Sequence, residues 1–211
     1  MNSNAAQSTP SALPDGTLPE GARAVLDFWF GAPGSAEAGQ YRKAWFIKDA
    51  AFDAQIQGRF APLLETALAG GLADWSAAGP EGALARILLL DQFTRNSYRG
   101  TARAFAGDPQ ALAQALSLVD SGADRQLAPL QRLFVYLPLE HAEDLGLQQR
   151  CVRLFEALAA EEARLDGALD YARRHHAVIA QFGRFPHRNV ALGRDSTEAE
   201  LVYLAQPGSG F

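Results

Sequence analysis

Ionisable residues gather in three short stretches of an otherwise apolar chain, and their types are those of proton transfer and anion recognition. The first, LLLDQFTRNSYRGTARAF at 88–105, holds Asp91, Gln92, Arg95, Asn96, Arg99 and Arg103. On a helix, residues four apart share a face, so Asp91 can pair with Arg95 and Gln92 with Asn96. Arg95, Arg99 and Arg103 recur at the same spacing and could form a local anion site. The second stretch, YLPLEHAEDL at 136–145, gathers Glu140, His141, Glu143 and Asp144. The third runs from RRHH at 173–176 into FGRFPHRN at 182–189, with His175, His176, Arg184, His187, Arg188 and Asn189. Planar arginine forks suit carboxylate or phosphate, and histidine titrates near neutral pH.

The leading expectation is a cleft between helices, lined by Asp91, Arg95, Asn96, Arg99, His141, His175, Arg184, His187, Arg188 and Asn189, that binds a small anionic ligand. It requires Asp91, Arg95, His141 and Arg188 to converge in one pocket. A second expectation is an acid/base or metal-assisted hydrolase with His141 or His187 as base and Glu143 as its partner. A third is a helical scaffold that binds a protein partner along its groove. Against all three stands a structural role, because buried arginines and histidines also satisfy helix ends and loop carbonyls.

Several chemistries lack their residues. No H-E-x-x-H or paired-cysteine pattern occurs, so no metal site is expected. There is no G-x-S-x-G elbow, phosphate-binding G-x-x-x-x-G-K-[ST] loop or G-x-G-x-x-G turn, so no nucleotide cofactor is expected. The only cysteine, Cys151, excludes an intramolecular disulfide. A net charge of −5 argues against nucleic acid and anionic lipid as partners. No apolar run approaches the roughly 20 residues of a membrane span. Residues 1–18 lack the basic start and apolar stretch of a secretory signal and read as a disordered leader. With the lone cysteine, these features point to the cytoplasm.

The elements that must carry the polar stretches are all helical. TLPEGARAVLDFWFG at 17–31 has Thr17 and Glu20 at capping-box spacing and a stop at Gly31. DAAFDAQIQGRFAPLLETALAGG at 49–71 has helical apolar spacing that Pro62 should kink or interrupt. PEGALARILLLDQF at 80–93 follows, and then DPQALAQALSLVDSG at 108–122 with Asp108 as cap and Pro109 as first helical residue. PLQRLFVYL at 129–137 should break near Pro138. LGLQQRCVRLFEALAAEEARL at 145–165 puts Leu147, Cys151, Leu154 and Leu158 on one stripe, which makes Cys151 a core thiol. DGALDYARRHHAVIAQF at 166–182 requires at least one histidine to face the core or a cleft, and DSTEAELVYLA at 195–205 has Thr197 and Glu200 at capping-box spacing. Eight or nine helices with short punctuation define an all-α domain of antiparallel helix pairs over residues 19–211. Trp29, Trp45 and Trp75 belong in its core.

The three stretches, in this order and after VLDFWFG, resemble the bacterial family known as domain of unknown function 924 from about Val25 to the C-terminal helix. The resemblance implies a tetratricopeptide-like, right-handed helical array and implies no activity. Asp91, Arg95, Asn96, His141, Glu143, His175, Arg184, His187, Arg188 and Asn189 match the family pattern. Thr94, Ala142 and His176 depart from it, which makes them poor candidates for essential chemistry.

Overall fold

Each helix forms where apolar residues recur on one stripe and a proline, glycine or polar cap ends the run. The computed structural model describes residues 17–210, and among these the chain is helix and loop without a strand. The expected leader falls mostly on residues 1–16, which lie outside the described residues. The helices are α1 Glu20–Phe30, α2 Ala50–Leu68, α3 Pro80–Ile87, α4 Thr94–Ser97, α5 Asp108–Ser121, α6 Pro129–Glu140, α7 Leu145–Glu161, α8 Asp166–Phe182 and α9 Glu198–Leu204. Packing follows the chain: α5 lies on α6, α6 on α7 and α7 on α8, while α3 contacts α1 and α5.

Four local expectations need correction. Pro19, not Thr17, precedes α1, with an extended backbone (φ −54°, ψ 144°). Leu18 would have to be helical for Thr17 to cap, and the following proline disfavours that. Pro62 does not interrupt α2. It and Gly58 are exposed, so the carbonyl that loses its amide partner faces water while Phe52, Ile56, Phe60 and Leu64 stay in the core. Pro138 does not break α6, which continues to Glu140. Asp108 is the first residue of α5 rather than its cap, because two guanidinium groups hold its carboxylate. By contrast, Thr197 and Glu200 form their capping box, and Cys151 is a fully buried free thiol.

The core centres on Trp29, whose ring meets those of Trp45, Phe52, Phe93 and Phe134 at centroid distances of 5.4–6.1 Å. Arg42 donates to the carbonyls of Phe28 and Trp29 at 2.7 and 3.0 Å, and the Trp45 indole donates to Trp29 at 3.0 Å. These bonds fix the irregular segment between α1 and α2 against the core.

From Pro80 to Ser97 the chain is one helical rod, but Leu88–Phe93 is a widened π turn. Such a turn frees carbonyls from their usual partners. The Thr94 hydroxyl takes those of Leu90 and Asp91 at 2.8 and 3.1 Å, and Arg95 also donates to Asp91 at 2.7 Å. Gln92 and Asn96 therefore do not pair with each other, and bond to Asp91 and Asp53 instead. Gly107 lets α5 approach this turn, since a Cβ there would sit 2.1 Å from the Leu90 carbonyl oxygen. Gly107→Ala must push α5 away from the π turn. At about 2 kcal/mol for overpacking, Tm should fall by roughly 4–8 °C in thermal unfolding. An unchanged Tm would show that the contact is soft.

Candidate functional site

The end of the rod from the π turn through α4, the second half of α6, the first part of α8 and the segment between α1 and α2 enclose a cavity of about 370 Å³. Gln92, Arg95, Asn96 and Arg99 come from the first polar stretch, Glu140 and His141 from the second, and His175 from the third. Asp91 lies directly behind this lining. Its side chain is 1% exposed and takes His141 Nδ1 on Oδ1 at 2.7 Å, Arg95 on the same oxygen at 3.2 Å, and Gln92 on Oδ2 at 2.5 Å. An ionised carboxylate only accepts, so His141 carries its proton on Nδ1. Among the described residues Nε2 of His141 makes no hydrogen bond, and the imidazole lines the cavity.

Behind Arg95, Asp108 accepts both of its terminal nitrogens at 2.9 and 3.1 Å and also Arg188 at 3.2 Å. The Arg188 guanidinium lies between the rings of Phe105 and Phe185, 4.7 Å from each centroid. Asp91, Arg95 and His141 thus meet directly, while Arg188 joins them through Asp108 and does not line the cavity. Arg99 is held by Asp53 at 2.6 and 2.9 Å, and Arg103 by Glu65. The regularly spaced arginines therefore face separate carboxylates rather than a shared anion.

The rest of the third stretch forms a clasp. Arg184 binds Glu200 at 2.6 and 2.8 Å, and Asn189 donates to Ser196 and Glu200. Glu143 accepts Arg194 and the Phe185 amide. Glu143 is thus bonded to Arg194 and the Phe185 amide, and the carboxylate bonded to His141 is that of Asp91. His187 sits against the Phe185 ring, outside the cavity lining.

Burial sets the proton affinities here. It acts to raise the Asp91 pKa, but Arg95 and His141 outweigh it and hold the carboxyl well below the usual range. Burial and the Asp91 charge push Glu140 up to about 8. Burial and Arg95 push His141 down against the pull of Asp91. Burial and His141 take His175 to about 3, and burial and Arg188 take His187 to about 4. Two carboxyl groups in one site thus differ in state, Asp91 ionised and Glu140 protonated at neutral pH. His175 Nδ1 donates to the Tyr171 carbonyl at 2.9 Å and approaches Glu140 Oε1 at 3.3 Å. No group of three or more His, Cys, Asp or Glu among the described residues is arranged to hold a metal ion.

The sequence reading omitted Glu140 from the site, together with the carboxylate partners Asp53, Asp108 and Glu200. It also omitted the cavity's aromatic side, Tyr41, Trp45, Phe46 and Tyr171. The signals available were the glutamate that closes the apolar run LFVYLPL directly before His141 and the aromatic run YRKAWFI at 41–47. A larger groove of about 850 Å³, lined in part by Arg23, Asp27, Glu81 and Arg164, contains no histidine among its lining residues.

Fold and site together define an all-helical protein with an enclosed histidine–carboxylate pair, and no helix among the described residues is long and apolar enough to cross a membrane. The chain belongs to a bacterial family of unknown function, DUF924, which matches residues 25–208. The solved structure of a protein of unknown function (ATU0120) from Agrobacterium tumefaciens is similar to it, with 39% identity and a TM-score of 0.75 over 87% of this chain and 96% of that one. No curated protein matches the chain.

The proton affinities predict a stability optimum. From pH 4.5 to 6.5, His175 and His187 bind protons only when unfolded, which raises stability with pH, and this outweighs the opposite effect of Glu140. From 6.5 to 8, Glu140 alone among these groups binds a proton only when folded, so stability falls. Urea unfolding should show a maximum near pH 6.5, and Glu140→Gln should remove the decline above it. A decline of equal size in both proteins would contradict the raised Glu140.

Proposed function

We propose that the chain is an acid/base enzyme that hydrolyses a small molecule, with His141 as general base and Asp91 as the group that orients it. The observation that carries this reading is the 2.7 Å bond between His141 Nδ1 and the buried Asp91 carboxylate, with the imidazole exposed to a cavity. The bond fixes the tautomer and stabilises the imidazolium that forms when Nε2 takes a proton. Water in the cavity would lose that proton as its oxygen attacks an electrophilic carbon, and His141 would return it to the leaving group. Glu140, neutral below about pH 8, is suited to donate a hydrogen bond where negative charge develops.

This reading is favoured over capture of an anion because the arginines on the cavity are already balanced, Arg95 by Asp91 and Asp108 and Arg99 by Asp53. The tetratricopeptide-like array and a single domain over 19–211 belong to the same proposal. Chain-neighbour packing from α5 to α8 supports the first, and a core that continues from α1 to α8 supports the second.

His141→Asn tests the chemistry, since an asparagine amide can replace Nδ1–H toward Asp91 but offers no basic nitrogen. Against a panel of carboxylic esters and amides, wild type should turn over at least one member. The variant should lose about 10²–10⁴-fold in kcat at unchanged Tm. No turnover by wild type, or equal turnover by the variant, would remove the reading.

A further inference from the structure

We propose that the cavity takes a neutral amphipathic ester or amide, with its carbonyl group at the floor formed by Gln92, Glu140 and His141 and an aryl or alkyl arm on Trp45, Phe46 and Tyr171. This substrate class rests on the acid/base reading of the same site.

The cavity's two sides differ in chemistry. Tyr41, Phe46, Ile47 and Tyr171 are 44–54% exposed and line one opening together. Large apolar side chains scattered singly need no explanation, but a contiguous group around a cavity marks a binding surface. Here the group is built rather than loose. Tyr41 contacts Trp45 and Phe46 at 5.7 and 5.9 Å, and Trp45 is anchored on the Trp29 carbonyl. Leu133 and Leu137 of α6 extend the apolar side inward. At about 370 Å³ the space falls at the lower end of the range for small-molecule sites.

The opposite side is polar, and its charges cancel locally. A charged head group would have to displace Asp53 from Arg99 or Asp108 from Arg95, whereas an uncharged carbonyl needs only a donor. Glu140 supplies one: its side chain lines the cavity and is 5% exposed, and its Oε2 has no hydrogen-bond partner among the described residues. The raised Glu140 pKa agrees with an O–H there at neutral pH. For an ester, the oxygen of water forms a new bond to the carbonyl carbon and the carbon–alkoxy bond breaks. The proton taken by His141 passes to the departing alkoxide, so ester and water give acid and alcohol.

The test compares benzyl acetate, ethyl acetate and para-(acetoxymethyl)benzoate on the full-length protein. N-benzylacetamide serves as a binding probe read by tryptophan fluorescence. Benzyl acetate should exceed both other esters in kcat/KM by at least about tenfold. Phe46→Ala and Tyr171→Ala, at half-exposed positions, should remove most of the advantage over ethyl acetate and weaken the amide's binding. Equal use of the three esters, a preference for the charged one, or indifference to both substitutions would overturn the inference. Selective turnover lost in His141→Asn supports both proposals. Turnover that depends on His141 without arm selectivity refutes the substrate class alone. Amide binding that depends on Phe46, with no ester turned over, refutes the acid/base reading alone.

Discussion

A fully buried carboxylate charge is the constraint on which the site and much of the fold depend. Asp91 lies in the middle of an apolar helical rod, where an unpartnered charge would cost several kcal/mol. Its partners come from more than one element: Gln92 and Arg95 from the same rod, and His141 from the end of α6. Arg95 in turn engages Asp108, which draws in Arg188 and ties α5 to the segment after α8. The added partners are charged or polar and mostly shielded, with side-chain exposures of 14% at His141, 19% at Arg95, 21% at Asp108 and 7% at Arg188, so the charge of Asp91 is spread over groups that keep a little solvent and one that keeps almost none. An ion pair of this kind is weak support for stability in itself, but removing one member leaves the others uncompensated. The network therefore selects one arrangement of the helices around the cavity.

The same burial that demands partners for Asp91 separates the states of its neighbours. Glu140 lies close enough to feel the Asp91 charge and, among the described residues, has only the neutral His175 imidazole beside its carboxyl, so it keeps its proton. His175 is desolvated and lies near His141, His187 and the Arg188 guanidinium, so it stays neutral. One ionised acid, one neutral acid and neutral imidazoles are thus placed around a common space. Structural ion-pair networks also perturb proton affinities. Here the perturbed groups His141, Glu140 and His175 line an accessible cavity, whereas the equally extensive Arg184–Glu200–Asn189 network does not.

The helices were legible because their signals are local: a proline or glycine at an end and an apolar stripe between. Even so, Pro62 and Pro138 misled in the same way. A lost backbone bond is tolerated where the carbonyl faces water, as at Gly58, or where only two helical residues remain, as after Pro138. The three polar stretches were legible as exceptions to apolar patterning, and the residues that meet at Asp91 come from the first two of them. What was hidden is partner choice. Asp53 lies 46 residues from Arg99, and Arg188 lies 80 from Asp108, so no sequence spacing reports those pairs. Glu143 was an attractive neighbour for His141 by proximity along the chain. The end of α6 nevertheless turns it toward Arg194 and the Phe185 amide, while His141 faces the rod.

FGRFPHRN divides between two tasks, which follows from its place after α8. Gly183 ends the helix with a left-handed backbone (φ 70°), and the chain doubles back so that Arg184 and Asn189 both meet Glu200 at the start of α9. That clasp fixes Phe185, whose backbone is bonded to Glu143 and Arg194 and whose ring forms one face of the slot for Arg188. Arg188 then reaches Asp108, the residue that also holds Arg95. The segment therefore meets the cavity from behind, through Asp108 and Arg95, and its own side chains are absent from the lining. Its arginines read as a ligand grip in the sequence because charge and burial look alike there. Only the opposing carboxylates, Glu200 for Arg184 and Asp108 for Arg188, separate a guanidinium that is already paired from one open to a ligand.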